Sequence, residues 1–314
     1  MNAWYKDFSE YMQELFPGVK MQKLSIDAGF TCPNRDGTIG TGGCIYCNNA
    51  SFTPSYCTPA DSVSVQLEKG KAFFRRKYPD MKYLAYFQSY TNTFGKTSEK
   101  LAAMYREALE TEDVEGVIIG TRPDCLPDEL VNLLADMNGE KKVIVEIGAE
   151  TSFDRTLQVI NRNHTWHDVE DAVRRLSRKG IHTGLHLIAG LPGETSDDVM
   201  ETIDKACGLP ISSIKMHQLQ IVKGTPLFRM WQSGEIDVKP YSLESYLELC
   251  VEIVKAIGRR VCIERFLSSS PSGMVAAPSW GLKNYQFTHL LHNLLQDSYR
   301  DSYRDSYRDS YRDS

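Results

Sequence analysis

Three of the eight cysteines lie close together, at Cys32, Cys44 and Cys47, with the spacing C-x11-C-x2-C. Cys44 and Cys47 can reach one metal centre from a single turn. Cys32 returns to it across a loop carrying Gly37, Gly40, Gly42 and Gly43. Thiolates are soft ligands that select zinc or iron–sulfur clusters. A structural zinc site takes four protein ligands, and no histidine occurs before His164. Three thiolates on a four-iron cluster leave one iron without a protein ligand, and an open metal position is what catalysis needs. The alternative, from a different functional class, is a zinc-stabilised binding protein without catalytic activity. The other cysteines, Cys57, Cys125, Cys207, Cys250 and Cys262, are scattered and read as small apolar packing residues. Cys57, ten residues past the triple, is the one placed to join a second metal site.

The elements that must position this triple follow from the pattern of apolar residues. Residues 1–20 read as an N-terminal helical segment ended by Pro17-Gly18. Strands are predicted over 24–30, 83–88, 116–119, 143–149, 181–189 and 214–222. Helices are predicted over 62–78, 97–110, 127–137, 166–179, 196–207 and 241–257. Six βα units imply a parallel sheet with right-handed crossovers. They fall short of a closed eight-fold barrel, so a partial barrel and an open doubly wound sheet both remain. In either, the active site lies at the C-terminal ends of the strands, where the cysteine loop leaves the first strand. The core is expected over 21–257, with a C-terminal extension at 258–296 holding one more strand at 261–266 and a helix at 281–295. Residues 297–314 repeat Asp-Ser-Tyr-Arg without an aliphatic residue and predict a disordered tail.

Composition sets the outer bounds. The chain has 314 residues, 41 % hydrophobic and 25 % charged, which excludes a wholly disordered or fibrous protein. A formal charge of −5 argues against a generally basic nucleic-acid coat. No apolar run is long enough to span a membrane. The first residues, with Lys6, Asp7, Glu10 and Glu14, lack the apolar core of a signal peptide, so a cytoplasmic location is expected.

Alternation splits each strand into two faces. Glu146, Gly148 and Glu150 oppose Val143, Val145 and Ile147. His182, Gly184 and His186 oppose Ile181, Leu185 and Leu187. Lys215 and His217 oppose Ile214 and Met216, and Ser25 and Asp27 oppose Leu24, Ile26 and Ala28. If the apolar faces meet the helices, the polar faces meet each other inside the barrel. They then form either a wet cavity for cofactor and substrate or a buried ion-pair network.

These residues together resemble the radical S-adenosyl-L-methionine (SAM) superfamily, and within it the YtqA/YhcC-type group related to the Elp3-like branch. The most specific stretch is Asp27-Ala-Gly-Phe-Thr-Cys-Pro-Asn-Arg-Asp-Gly followed by Gly43-Cys-Ile-Tyr-Cys47. Most superfamily members use C-x3-C-x2-C, whereas the eleven-residue gap here resembles this group. Group-like segments also include Tyr86-Phe-Gln-Ser-Tyr-Thr-Asn-Thr93, Gly120-Thr-Arg-Pro-Asp-Cys125, Glu146-Ile-Gly-Ala-Glu-Thr151, Asn161-Arg-Asn-His164 and His186-Leu-Ile-Ala-Gly-Leu-Pro-Gly-Glu194. Near the end, Arg265 and Ala277-Pro-Ser-Trp280 resemble it as well.

The resemblance implies an α/β fold, a partial (β/α)6 TIM-like barrel with a short C-terminal extension. It implies a [4Fe-4S] cluster held by Cys32, Cys44 and Cys47, with SAM on the open iron, and a 5′-deoxyadenosyl radical that abstracts hydrogen from a substrate. Tyr46, between two ligands, would shield the cluster, flank the adenine or simply pack. Ser89, Thr91 and Asn92 would meet the methionine amino group, or serve as turn and cap residues. Glu150 would accept hydrogen bonds from the ribose hydroxyls. Gly190 and Gly193 would let backbone approach the adenine, with Glu194 equally suited to capping the next helix. Gln88, His186, Lys215 and His217 are the candidate catalytic residues, and Arg122 and His164 also belong to the substrate side. Arg265, Trp280 and Lys283 would close over a substrate or pack against the barrel.

The implied partners are a low-potential electron donor of the flavodoxin or ferredoxin type and tRNA. Lys69, Lys71, Arg75, Arg76 and Lys77 lie on one predicted helix with Phe73 and Phe74 between them, and Arg174, Arg175, Arg178, Lys179, Arg259 and Arg260 add further basic runs. They suit a polyanion or a solvated helix face. Group members are linked to side-chain modification of the tRNA wobble uridine, helping convert carboxymethylaminomethyl toward aminomethyl. A small metabolite or a protein side chain is the alternative substrate.

Overall fold

A computed structural model describes residues 2–49, 53–75, 80–268 and 270–310. The chain opens with β1 (Lys6–Asp7) and α1 (Phe8–Leu15), whose first turn is capped by the Asp7 carboxylate accepting from Glu10 N at 2.9 Å. Then strands and helices alternate: β2 (Met21–Ile26), α2 (Val63–Arg75), β3 (Lys82–Phe87), α3 (Ser98–Glu110), β4 (Val114–Thr121), α4 (Asp128–Asn138) and β5 (Lys142–Glu150). They continue with α5 (Asp154–Val159), α6 (Trp166–Arg178), β6 (His182–Ala189), α7 (Ser196–Cys207) and β7 (Ser213–Gln218). The last third holds β8 (Ile221–Val222), α8 (Pro226–Ser233), α9 (Leu243–Ile257), β9 (Cys262–Arg265), β10 (Val275–Ala277) and α10 (Asn284–Ser310). Thr165 and Thr195 open α6 and α7 with reciprocal capping boxes to Asp168 and Asp198. Among the described residues, no helix is long and apolar enough to cross a membrane.

Eight strands form one sheet in the order β1-β9-β7-β6-β5-β4-β3-β2, parallel at every pairing. Side-chain contacts decide between a partial barrel and an open sheet. Lys23 on β2 reaches Glu146 on β5 at 2.8 Å and Glu264 on β9 at 2.7 Å. β2 and β9 are six strands apart, which in a flat sheet means roughly 29 Å at about 4.8 Å per strand. A lysine side chain spans that gap only if the sheet curls into a half-barrel. The predicted partial barrel is therefore the observed fold.

The apolar faces pack outward against the helices as the alternation predicts, with Val143, Val145, Ile147, Leu185, Leu187, Ile214 and Met216 all in the main core. The polar faces turn inward. At the N-terminal end of the barrel, α1 acts as a plug: Tyr11 and Met12 pack on Leu84, Tyr86, Ile118, Ile144 and Cys262. The Tyr11 hydroxyl lies 3.1 Å from His182 Nδ1.

Several boundaries differ from those predicted, each for a tertiary reason. β2 ends at Ile26 because Gln66 takes both backbone groups of Asp27: its Oε1 accepts from Asp27 N at 2.9 Å, and its Nε2 donates to Asp27 O at 2.9 Å. The stretch predicted as one strand at 214–222 divides, since β8 leaves the barrel sheet and pairs antiparallel with β10. α2 is described to Arg75, and the predicted residues 76–78 lie outside the described residues. The expected disordered tail is also different: α10 runs on to Ser310 from a buried stripe of Phe287, Leu291 and Leu295. Asp297 and Arg300 stand 4.0 Å apart on successive turns of it. Residues 311–314 lie outside the described residues.

Midway up the barrel Glu146, only 3 % exposed, gathers partners from four other strands. Lys215 Nζ and His186 Nε2 stand 2.6 Å from its Oε2, the Tyr86 hydroxyl donates to the same atom at 2.7 Å, and Lys23 holds Oε1. Glu264 balances the lysines, 3.0 Å from Lys215 and 2.7 Å from Lys23. Burial alone would raise the Glu146 carboxyl, but Lys215, Lys23 and His186 hold it well below the usual carboxylate range. Its stabilisation is therefore present above the unfolded carboxylate range and lost as pH falls through the folded value. Replacing Glu146 by Ala leaves Lys23 and Lys215 sharing the one carboxylate of Glu264, an uncompensated interior charge expected to cost about 3–5 kcal/mol. Denaturant unfolding of the two proteins measures this, and equal midpoints would refute it.

Candidate active site and metal centre

The cysteine loop leaves the C-terminal end of β2. Its shape is fixed by backbone turns and by a set of asparagines. Arg35 N and Asp36 N donate to Cys32 O at 2.8 and 3.2 Å, and Cys47 N donates to Cys44 O at 3.0 Å. Gly43 has φ +78°, and a Cβ there would stand 2.9 Å from the Arg35 side chain. Buried Asn34 donates to Asn161 O and accepts from Asn163 Nδ2 at 2.5 Å. Asn161 Nδ2 in turn donates to Gly43 O at 2.8 Å, and Ile45 N to Ile160 O at 3.1 Å. Asn161 and Asn163 both have φ of 56°, a conformation asparagine tolerates better than other side-chain-bearing residues. The segment after α5 thus clamps the long gap between Cys32 and Cys44.

Above Glu146 the barrel holds a cavity of about 260 Å3. Cys32, Cys44, Tyr46 and Cys47 line one end, with Arg35 and Arg162; Gln88, Glu150, His186, His217 and Arg265 line the interior. Both arrangements anticipated for the polar faces are present, the ion-pair network as the floor and the cavity above it. Arg162 joins the two ends. Its Nη1 points at Cys44 Sγ (3.7 Å), and its Nη2 lies 3.2 Å from Glu150 Oε1 and donates to Gly148 O at 2.6 Å. Glu150 reaches this place through a register shift between Gly148 and Glu150 and a φ of 67°. Burial works against the Arg162 charge, yet Glu150 and Cys44 hold it firmly protonated.

The titratable groups divide by cause. Burial pushes the Cys47 thiol up to about 12, reinforced by Cys44, while Arg35 and Arg162 pull the other way. Burial, followed by Arg162 and Arg122, lowers His164 to about 2. His186 is lowered by burial and Lys215 against the pull of Glu146, and His217 is lowered by burial, Arg265 and His186. All three imidazoles are neutral at physiological pH.

Of the residues singled out from sequence, the cavity brings together Cys32, Cys44, Cys47, Tyr46, Gln88, Thr91, Glu150, His186, His217, Arg122 and Arg265. Others stand elsewhere. Ser89 is buried beside Thr91 without lining the cavity, and Asn92 donates its Nδ2 to Gly120 O at 2.8 Å. Lys215 belongs to the floor network. Gly190 packs on Tyr241, a Cβ at Gly193 would meet nothing within 4 Å, and neither glycine lines the cavity. Glu194 accepts from Thr151 Oγ1 at 2.6 Å. Trp280 stacks on Tyr246 at 5.4 Å, and Lys283 opens the turn into α10 by donating its N–H to Gln286. His164 sits behind Arg162, accepting from its Nε at 3.0 Å. Cys57 donates its thiol to Ser25 O at 3.0 Å, away from the triple. Arg35, Arg162 and Tyr86 were not among the sequence candidates, although all three lie in segments that carry the family resemblance; nothing in its spacing shows that Arg162 faces Cys44.

The donor set suits an iron–sulfur cluster. Zinc needs its sulfurs at about 2.3 Å from one point, whereas an iron–sulfur cluster gives each thiolate an iron of its own. Three thiols around one cavity end, with Asn34 and Arg162 N–H groups directed at Cys44 Sγ, fit the cluster.

Comparison with known proteins gives the same answer. Residues 35–206 match the Radical SAM superfamily and residues 211–297 match the radical SAM C-terminal domain. The chain is 33 % identical to YtqA of Bacillus subtilis over 292 residues, covering 93 % of this chain and 89 % of that one. It is 35 % identical to YhcC of Escherichia coli over 264 residues, covering 84 % and 83 %. A tRNA uridine(34) acetyltransferase of Methanocaldococcus jannaschii is 24 % identical over 181 residues, 57 % of this chain and 32 % of that protein. In structure the chain is similar to Elp3 of Methanocaldococcus infernus, with a TM-score of 0.64 at 16 % identity over 89 % of this chain and 63 % of that one.

The buried His164 makes a testable contribution. Its folded value near 2 lies below the unfolded value of about 6.5, so its stabilisation is complete above pH 6.5 and declines as pH falls. Between pH 6.5 and 5.5 wild type is expected to lose about 1 kcal/mol more stability than His164→Asn. Denaturant unfolding at both pH values reads this difference, and parallel losses would show that His164 protonates freely.

Proposed function

The chain belongs to the radical SAM superfamily, within its YtqA/YhcC-like group, and from that premise we propose an enzyme that acts on the wobble uridine of tRNA. Its cofactors are a [4Fe-4S] cluster and SAM. Together, when bound and reduced, these supply a 5′-deoxyadenosyl radical for hydrogen abstraction. The observation that carries the site assignment is the meeting of three loop cysteines, Glu150, His186 and His217 in one cavity.

In this reading Cys32, Cys44 and Cys47 each hold one iron. The Arg162 and Asn34 N–H groups steady the Cys44 thiolate. Glu150, braced by Arg162, accepts from the ribose hydroxyls. Thr91 meets the methionine amino group, with Ser89 and Asn92 supporting it from behind; Asn92 Oδ1 is buried without a partner among the described residues. Tyr46 shields the cluster end from water. Gly190 and Gly193 shape the turn after β6, outside the cavity lining, and are not assigned to the adenine. On the substrate side Gln88, His186 and His217 face the cavity. His186 keeps its imidazole oriented by the 2.6 Å contact to Glu146, and Lys215 acts through that carboxylate. The substrate class is supported by the likeness to the tRNA uridine(34) acetyltransferase, and in this reading, which follows the group resemblance, the 5-substituent of the base is the group modified. A flavodoxin- or ferredoxin-type donor supplies the electron.

Anaerobic reconstitution with iron and sulfide, followed by dithionite and SAM, is expected to yield 5′-deoxyadenosine. Replacing Cys32, Cys44 or Cys47 by Ala is expected to abolish it. One tightly bound zinc in place of iron and sulfide would overturn the cluster assignment. Glu150→Gln is expected to weaken SAM binding by about 10- to 100-fold, the cost of a charge-assisted hydrogen bond; unchanged affinity would remove Glu150 from the site. For the substrate, wobble nucleosides from cells with and without the gene are compared by mass spectrometry. An altered 5-substituent is expected, and an unchanged profile refutes the tRNA reading.

A further inference from the structure

The half-barrel does not close, and its seam is not blank. A second space of about 480 Å3 lies between the two ends of the sheet. Lys23 and Ser25 of β2 form one wall, and Glu264 and Arg265 of β9 form the other. Tyr86, Gln88 and Arg265 line both this space and the cavity above Glu146, so a single layer of side chains separates them.

The outer mouth is aromatic. Phe73 near the end of α2 is 68 % exposed. Its ring meets Phe74 edge-on at 5.1 Å and Tyr56 at 6.4 Å with a 34° tilt. Tyr56 is itself fixed, its hydroxyl accepting from Ser25 N at 3.1 Å. Single exposed apolar side chains are common. This one, however, belongs to a three-ring cluster at the mouth of a space that abuts the active cavity. Arg75, 58 % exposed, and Lys69, 49 % exposed, lie on the same helix, with acidic neighbours at 3.5 and 2.5 Å. At the inner end, Arg265 Nε is buried and has no hydrogen-bond partner among the described residues. The seam thus offers a stacking surface outside, the Lys69 cation one helical turn before it and an unused donor within. That set suits an unpaired nucleotide, whose base stacks, whose phosphate meets the cation and whose carbonyl oxygen accepts from a guanidinium.

We propose that the seam is the port through which RNA presents its target base: the nucleotide next to the target stacks on Phe73, and the target base enters toward Arg265 Nε. This rests on the tRNA reading and adds where and how the substrate is held. Stacking on Phe73 requires an unpaired loop, so the port selects a single-stranded region over a duplex.

The test uses the full reconstituted protein and an RNA stem-loop with uridine in its unpaired loop and 2-aminopurine beside it. Wild type is expected to bind the stem-loop more tightly than a duplex of the same sequence, with quenched 2-aminopurine fluorescence. Phe73→Ala is expected to bind ~5- to 100-fold more weakly and to lose the quenching, and Phe73→Trp to recover both. Phe73 is a surface residue, and circular dichroism confirms that the variants are folded. Wild-type affinity in Phe73→Ala, or equal binding of loop and duplex, would overturn the port. Phe73-dependent binding with an unchanged wobble-nucleoside profile would keep the port and remove the wobble assignment. Altered wobble nucleosides with Phe73-independent binding would do the reverse.

Discussion

Glu146 is a carboxylate buried at the centre of the sheet, and much of the structure follows from keeping it charged. A lone ion in that position would cost several kcal/mol. Its donors come from β2, β3, β6 and β7, and the second carboxylate that balances the lysines comes from β9. No flat sheet brings those side chains to one point. The curl of the half-barrel and the satisfaction of Glu146 are therefore the same condition. A packed barrel fills its interior with layers of branched aliphatic residues. Here the charged floor takes the place of those layers, and α1 seals the end below it. Space remains only toward the C-terminal ends of the strands, where the cysteine loop arrives.

A second dependency links the two ends of the cavity. Arg162 touches Cys44 with one nitrogen and Glu150 with the other, so the metal end and the carboxylate end share one cation. The guanidinium is suited to this because it is planar, always charged and able to donate in several directions. It is held in turn by the Gly148 carbonyl and His164, while Arg122 fastens the carbonyls of Arg162 and Asn163. Burial keeps His164 neutral, so it can accept from Arg162 without adding positive charge. The long gap between Cys32 and Cys44 is tolerable for the same reason: Asn34, Asn161 and Asn163 tie the loop to the segment that carries Arg162.

How much of this was legible in the sequence depends on the range of the interactions. The alternation of β2 through β7 with their helices was legible because apolar periodicity is local. The inward polar faces were legible because alternation along a strand is local too. The division between floor and cavity was not, since Glu146 and Glu150 share a face and only the bulge at Gly148 separates their surroundings. The end of β2 at Ile26 depends on Gln66, which lies on α2. Lys215 drew attention for the right reason, a charge on an inward face, but its partners place it below the cavity. The continuation of α10 past residue 297 starts from buried Phe287, Leu291 and Leu295, outside the repeat itself. Arg162 and the open seam were the least visible, because each is defined by residues more than 100 positions away in the chain.

The cavity and the seam together constrain what substrate fits. A space of about 260 Å3 is smaller than the roughly 300–1,000 Å3 usual for small-molecule sites, and it lies beside the cysteines that the cofactors require. A large substrate must therefore leave most of itself outside and insert one group. With a net charge of −5, the chain as a whole repels a polyanion. Attraction has to come from local cations, and screening limits their reach to about 8–10 Å. Lys69 stands one helical turn before Phe73 at the aromatic mouth, whereas the inner end offers the Arg265 donor. A substrate that is charged outside, planar at the point of entry and rich in acceptors where it inserts satisfies all three regions. An aliphatic metabolite would use the inner end alone and leave the ring cluster around Phe73 without a role.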